Sequence, residues 1–266
     1  MASNPISHCC VGGVKHKGTP KGQVKEIGNV RSYFTYPENG NTQNAIVIMT
    51  DVFGMDFINI QLIADQFATK GYVTVIPDVF NGAQVPFPAP PTFNLQEYID
   101  TTMPRPATVD PIYAQVIKHL RSELGIKRLG GVGYCFGGKY ICRWLQEGAL
   151  DAGFTAHPSF VNADEVKGIR GPLSIAAAVQ NHMITTEADF TPDTEIDDIF
   201  TQEKRRETED ILRELGNVPY QIFLYSHVEH GFATKGDLAD EKAKFAKDQA
   251  FSQAVVWLDE YVKRGQ

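Results

Sequence analysis

Long hydrophobic runs are missing from this 266-residue chain, and no stretch is long or apolar enough to cross a membrane. The opening residues, Met-Ala-Ser-Asn-Pro-Ile-Ser-His, lack the basic start and apolar centre of a secretory signal, so a cytoplasmic location is expected. Blocks of positive charge are also absent, and a net charge of −7 argues against a nucleic-acid partner. Cysteine is scarce. Four residues, with Cys9 adjacent to Cys10, are too few for a disulfide framework and point to reduced thiols. The seven histidines do not cluster with Asp or Cys at ligand spacing, so no metal site is expected. No linker-like stretch divides the chain, which leaves a single domain over residues 1–266 as the expectation. A small-molecule partner is then the default. No surface stripe stands apart from the core pattern, which leaves the oligomeric state open.

What the chain does contain is an alternation of apolar, β-branched runs with helical segments, the pattern of a mostly parallel sheet covered by helices on both faces. Strands are expected at Val30–Tyr36, paired with Gln23–Glu26, and at Ala45–Thr50, Tyr72–Ile76, Arg128–Val132, Gly153–Ala156, Leu173–Ala178 and Tyr220–Ser226. Helices are expected over Phe57–Lys70, Pro111–Leu124, Lys139–Glu147 and Phe200–Leu215. A final helix carries the stripe Ala243, Ala246, Ala250, Ala254, Trp257 and Tyr261, read as core packing. Two segments break the alternation. Gln84–Pro111 is too rich in proline for much of it to join a helix or central strand, and must cross the surface as a pocket wall or a plain connection. Val179–Glu195 is polar and acidic, without clear period.

The residues richest in chemical information are Gly133-Tyr134-Cys135-Phe136-Gly137. Small residues two before and two after a central Cys135, between a strand and a helix, are the setting of a nucleophile elbow. The turn forces its central residue into a cramped backbone, and only small neighbours fit beside it. A helix N-terminus beneath Cys135 would favour its thiolate, and a nearby histidine would lower its pKa further. The dinucleotide-binding fingerprint is a poorer description, because that motif sits in the first strand-to-helix turn, whereas this one comes halfway along the chain. A thiolate nucleophile needs a base. His230 follows the last strand and is flanked by Gly231, which suits the chain order nucleophile, acid, histidine. His227 more simply ends the strand, and His157 lies too early for that order.

Gly-Tyr-Cys135-Phe-Gly-Gly, His157-Pro-Ser, Gly171-Pro-Leu-Ser-Ile-Ala-Ala and Tyr225-Ser-His-Val-Glu-His230-Gly-Phe resemble the dienelactone hydrolase family, particularly its fungal branch. Cys9-Cys10 with His16-Lys-Gly-Thr-Pro adds to the resemblance, which runs from about residue 9 to the C-terminus. It implies an α/β-hydrolase fold and a Cys-His-Asp triad that cleaves enol-lactones and related esters without a cofactor, with Cys135 and His230 as the matching residues. The acid is displaced. Matching the Ile199-Phe200 helix start selects Asp197, counting from the preceding strand selects Asn181, and Asp198 is a third candidate. The oxyanion donors would be the N–H groups of Phe136 and Val52. Asp51 matches an acidic position that can contact the resting thiol, with a helix N-cap as the alternative role. Asp51, Phe53, Phe80 and Phe232 are the candidate substrate contacts. The family's bacterial prototype binds a substrate carboxylate with arginines. None stands at Pro77-Asp78-Val79-Phe80-Asn81, so Lys235 or Arg105 would have to replace the charge. The expected activity is thiol-dependent hydrolysis of a lactone or ester. The competing expectation is a non-hydrolytic binding protein, isomerase or dehydratase.

Overall fold

The computed structural model describes residues 2–146, 148–179 and 197–264. A short helix, α1 (His8–Val11), precedes the hairpin β1 (Gln23–Ile27) and β2 (Val30–Thr35). The chain continues through β3 (Asn44–Met49), α2 (Ile58–Thr69), β4 (Val73–Pro77), the single turn α3 (Leu95–Glu97) and α4 (Pro106–Ser122). Next come β5 (Arg128–Tyr134), α5 (Phe136–Gln146), β6 (Ala152–Ala156), α6 (Ala163–Lys167) and β7 (Leu173–Val179). The last elements are α7 (Gln202–Leu215), β8 (Tyr220–Ser226), α8 (Phe232–Lys235) and α9 (Glu241–Leu258).

The eight strands form one sheet in the order β1-β2-β4-β3-β5-β6-β7-β8. Every pair from β4 to β8 is parallel, while β2 joins β1 and β4 antiparallel. β3 from Ala45 onward and β4, in which Thr74 is the one polar residue, are buried because helices cover both of their faces. Adjacent glycines of β5 mark those faces. A Cβ on Gly130 would meet Leu258 of α9, and one on Gly131 would meet Ile141 of α5. Phe67 of α2 packs on Phe251 of α9 at 4.7 Å between ring centroids, and Tyr113 of α4 on Tyr140 of α5 at 5.5 Å. The expected α9 stripe is in the core: Ala246, Ala250, Ala254 and Trp257 are buried, and Ala243 and Tyr261 pack against them.

The proline-rich segment differs from expectation. α4 begins at Pro106 rather than Pro111, because a proline in the first turn has the right φ and loses no hydrogen bond there. Pro111 then lies inside the helix, where its missing N–H forfeits one bond. Val85, Leu95, Tyr98, Ile99 and Met103 of this segment are buried, so it is part of the packed body and not a plain surface connection. Of the polar Val179–Glu195 segment, Val179 ends β7. The rest, including Asn181, lies outside the described residues.

Candidate active site

β5 delivers its last residue, Tyr134, to a turn in which Cys135 has φ +50°, and α5 begins at the next residue. A left-handed backbone on a non-glycine residue costs about 1–3 kcal/mol and persists only where its surroundings enforce it. Here they do. The Cys135 N–H donates to Ala156 O at 3.2 Å, and the Cys135 carbonyl accepts from Gly138 and Ser159, each at 3.0 Å. The flanking glycines are sterically required. A Cβ on Gly137 would lie 1.9 Å from the Met49 carbonyl oxygen of β3, and one on Gly133 would lie 2.8 Å from that of Gly137. This is the elbow expected from the sequence.

His230 lies in the turn after β8, followed by Gly231 at φ +93°. Its Nδ1 is 3.3 Å from Asp197 Oδ1, and both side chains are at most 1% exposed. The same Asp197 oxygen accepts the N–H groups of Ile199 at 3.0 Å and Phe200 at 3.1 Å, which aim it at the ring. Asp198 is exposed and offers its backbone carbonyl to Asn4. Among the described residues, Asp197 is therefore the carboxylate beside His230. Burial alone would raise its pKa, but the His230 charge and these N–H donors outweigh burial and hold it below the usual carboxylate range. Burial would likewise depress His230, yet Asp197 and then Cys135 lift it to about 10. Burial opposes ionisation of Cys135, but hydrogen bonding from Cys10, then the His230 charge and then Ser159 bring its pKa well below that of a free thiol. The two shifts act together to favour the charged forms of this pair.

Three neighbours escaped the sequence reading. Cys10 Sγ, from α1, lies 3.5 Å from Cys135 Sγ, and Ser159 Oγ lies at 3.5 Å on another side. His157, set aside as too early in the chain, is fully buried with its ring centroid 4.8 Å from that of His230. Burial, then the positive charges of His230 and Lys235, push the His157 pKa well below that of a free imidazole, and neither of its ring nitrogens has a hydrogen-bond partner. Ser159 and His157 follow β6 as Cys135 follows β5, and that shared position at a strand end is the signal that could have found them. Cys10 comes from outside the sheet and has no such signal.

The remaining candidates surround this centre. Phe136 opens α5, so its N–H belongs to the first turn, where amides have no intrahelical acceptor. Val52 sits in the tight turn after β3, its carbonyl fixed by the Val85 N–H at 2.9 Å. Asp51 is not a helix N-cap, since α2 starts at Ile58. Its carboxylate accepts Phe53 N–H at 3.1 Å and Thr234 Oγ1 at 3.0 Å, bracing that turn. Burial and then the Cys135 charge raise Asp51 to about 6. Phe80 packs on Phe136 at 5.2 Å, Phe53 on Phe87 of the proline-rich segment at 5.1 Å, and Phe232 on His157 at 5.6 Å. Tyr98 of the same proline-rich segment has a buried hydroxyl without a partner, its pKa raised by burial and then by Cys135. Arg105 is exposed and bonded to the Ile99 carbonyl. Lys235 is buried, donates from Nζ to Cys9 O at 2.6 Å and lies 6.0 Å from the Phe53 ring centroid.

A cavity of about 530 Å³ is lined by His230, Phe232, Lys235, Cys9 and Gly231. A larger groove of about 800 Å³ runs between β8 and α9, past Phe223, Phe245 and Val256, with no cysteine or carboxylate of the centre in its wall. Among the described residues, no helix is long and apolar enough to cross a membrane. Sequence spacing gave no metal site, but Cys10, Cys135 and His230 offer donor atoms within 4.8 Å of one another.

The profile of the dienelactone hydrolase family matches residues 30–262. Hydrolase pyvD of Aspergillus violaceofuscus is 44% identical over 264 residues, spanning 99% of this chain and 100% of its own. Dienlactone hydrolase 1 of Gibberella moniliformis is 29% identical over 271 residues, covering 99% of this chain and 97% of its own. Among solved structures, a putative dienelactone hydrolase from Klebsiella pneumoniae superposes with a TM-score of 0.69 at 14% identity, covering 90% of this chain and 98% of its own. With its parallel sheet and strand-end elbow, the chain belongs to the dienelactone hydrolase family, hydrolases built on the α/β-hydrolase fold.

Proposed function

We propose that the protein hydrolyses a lactone or carboxylic ester through a covalent thioester on Cys135, with His230 as acid and base and Asp197 orienting it. The observation that carries this reading is the left-handed Cys135, buried beside a histidine whose far nitrogen is 3.3 Å from a buried carboxylate. The Cys135 thiolate attacks the carbonyl carbon, and the negative oxygen that forms is received by the N–H groups of Phe136 and Val52. Collapse of that intermediate breaks the acyl C–O bond, and the His230 imidazolium protonates the departing oxygen. His230, now neutral, takes a proton from water, whose oxygen attacks the thioester. The acid is released, and the thiolate and imidazolium return. Asp197 stays ionised throughout and holds the ring with Nε2 toward Cys135. No step calls for a cofactor. The substrate is a small molecule, and Phe232 with Lys235 would meet it in the cavity beside His230, the lysine suiting a substrate that carries negative charge. The competing non-hydrolytic reading drew on a displaced acid, and the 3.3 Å between Asp197 and His230 supports the hydrolytic reading over it.

Incubation with an aryl ester, followed by rapid acid quenching and mass spectrometry of the intact chain, should show one acyl adduct that maps to Cys135. Cys135→Ala should lose both adduct and turnover. Turnover unchanged in Cys135→Ala would refute the proposal.

A further inference from the structure

Three elements far apart in the chain place soft donor atoms at one buried point. Cys10 comes from α1, Cys135 from the elbow and His230 from the turn after β8, and one donor atom of each lies within 4.8 Å of the others. The two sulfurs are 3.5 Å apart. A tetrahedral ion with Zn–S near 2.3 Å and Zn–N near 2.0 Å requires its sulfurs about 3.8 Å apart and each sulfur about 3.5 Å from nitrogen. The sulfur pair therefore needs to spread by only a few tenths of an ångström.

The surroundings also fit. A metal-bound histidine commonly donates its other ring N–H to a carboxylate, and His230 has Asp197 on Nδ1 while its buried Nε2 has no hydrogen-bond partner. Asp197 is itself held by two backbone N–H groups. Two thiolates would neutralise a divalent charge in a place where an unpaired ion is costly.

We propose that Cys10, Cys135 and His230 form an inhibitory site for a thiophilic divalent cation of the Zn²⁺ class, with water in the fourth position. Two thiolates and one imidazole with an open position are a known zinc-binding set. The bound ion occupies both the sulfur that would attack and the nitrogen that would move the proton, so occupancy and acylation exclude each other. That second half rests on the hydrolytic reading above, whereas binding does not. Thiols and imidazole coordinate in their deprotonated forms, so binding releases to solvent whatever protons these three groups carry.

The probe is Cd²⁺, added to chelator-treated full-length protein and followed by thiolate-to-cadmium charge-transfer absorption. The expected result is a band that saturates at one ion per chain with the amplitude of two thiolates, together with turnover that falls in proportion and returns on adding EDTA. Cys10→Ser should halve the band and weaken Cd²⁺ binding by roughly a hundredfold, in line with the loss of a ligand. Cys142→Ser, which removes a buried thiol of α5 away from the cluster, should keep the full band and so controls for folding. Absence of a band at one equivalent would overturn the proposal. So would a band unchanged in Cys10→Ser, or one lost in Cys9→Ser instead. A full band with undiminished turnover would overturn the inhibitory role and the catalytic reading of Cys135 together. Failure of hydrolysis alone leaves the band intact, so the two proposals fail separately.

Discussion

Replacing Asp197 by asparagine removes one charge and little else. The amide oxygen can still accept from the Ile199 and Phe200 N–H groups, now at 3.0 and 3.1 Å, so the turn should keep its shape. His230 loses its carboxylate at 3.3 Å. At that distance and an effective dielectric near 20, the attraction is worth at most about 5 kcal/mol, a few thousandfold in rate if all of it acts in the transition state. The amide can also donate to Nδ1 and hold the ring in the wrong tautomer, which in a comparable triad lowers kcat by roughly 10⁴. On the proposed mechanism, Asp197→Asn should reduce kcat/KM for an aryl ester by about 10³-fold or more, with thermal unfolding shifted by only a few degrees. Exposed Asp198→Asn should stay within about twofold, as expected for a surface change. Asn181→Ala should behave like Asp198→Asn. A loss under tenfold in Asp197→Asn, or an equal loss in either of the other variants, would refute Asp197 as the orienting acid.

The pH profile should carry the same signature. On the proposed mechanism His230 must be protonated to release the leaving oxygen, and its pKa is lifted to about 10, so kcat/KM should be flat through neutrality and fall as pH rises through about 10. In Asp197→Asn, the imidazolium loses its main support and this limb should move to lower pH; a limb that stays in place would count against the pair. Gly137→Ala would place a Cβ 1.9 Å from the Met49 carbonyl oxygen, a backbone atom that cannot step aside. It should cost about 3 kcal/mol or more in denaturant unfolding, against under about 0.5 kcal/mol for Gly12→Ala, whose Cβ would meet nothing within 4 Å. Lys139 of α5 bonds Glu165 at 2.9 Å and the Phe160 carbonyl at 3.1 Å, so Lys139→Met leaves a buried carboxylate with only Arg143 to balance its charge and the Asn162 N–H to bond it. It should destabilise by about 3 kcal/mol, and Lys139→Met combined with Glu165→Leu should recover only part of that loss, because Glu165 also accepts the Asn162 N–H.

The legible parts of this molecule were those with a local cause. Apolar runs placed the central strands of the sheet, because a strand buried on both faces must be apolar on both, whereas the edge strands β1 and β8 are largely exposed or half-buried. The elbow was legible because Gly133 and Gly137 flank Cys135 at fixed spacing in the sequence, although the atom that forbids a side chain on Gly137 is the Met49 carbonyl of β3. Asp197 emerged only through the register of Ile199-Phe200, and its two backbone bonds come from those same residues. The start of α4 was misplaced because Pro106 and Pro111 look alike in sequence, while only the first occupies a position that needs no N–H. Cys10 was invisible as a neighbour of Cys135, since nothing within 100 residues of it in the chain refers to the elbow, and contact across 125 positions is a property of the fold.

That contact has a structural cause of its own. Ser3 N–H bonds Val161 O and Asn4 N–H bonds Ile199 O, while Val14 N–H and Lys235 Nζ cross between the same N-terminal stretch and α8. Residues 3–14 thereby tie together the loops that follow β6, lead into α7 and follow β8, which carry Ser159, Asp197 and His230. A strained Cys135 and a charged pair beside it persist only if those loops hold their positions, so the strap supports the geometry it covers. The family profile begins at residue 30, after this strap, yet the 44% identical relative aligns over its whole length. Cys135, Asp197 and His230 thus lie within the stretch that the family profile matches, whereas the sulfur 3.5 Å from Cys135, on which the proposed cation site depends, comes from the stretch before it.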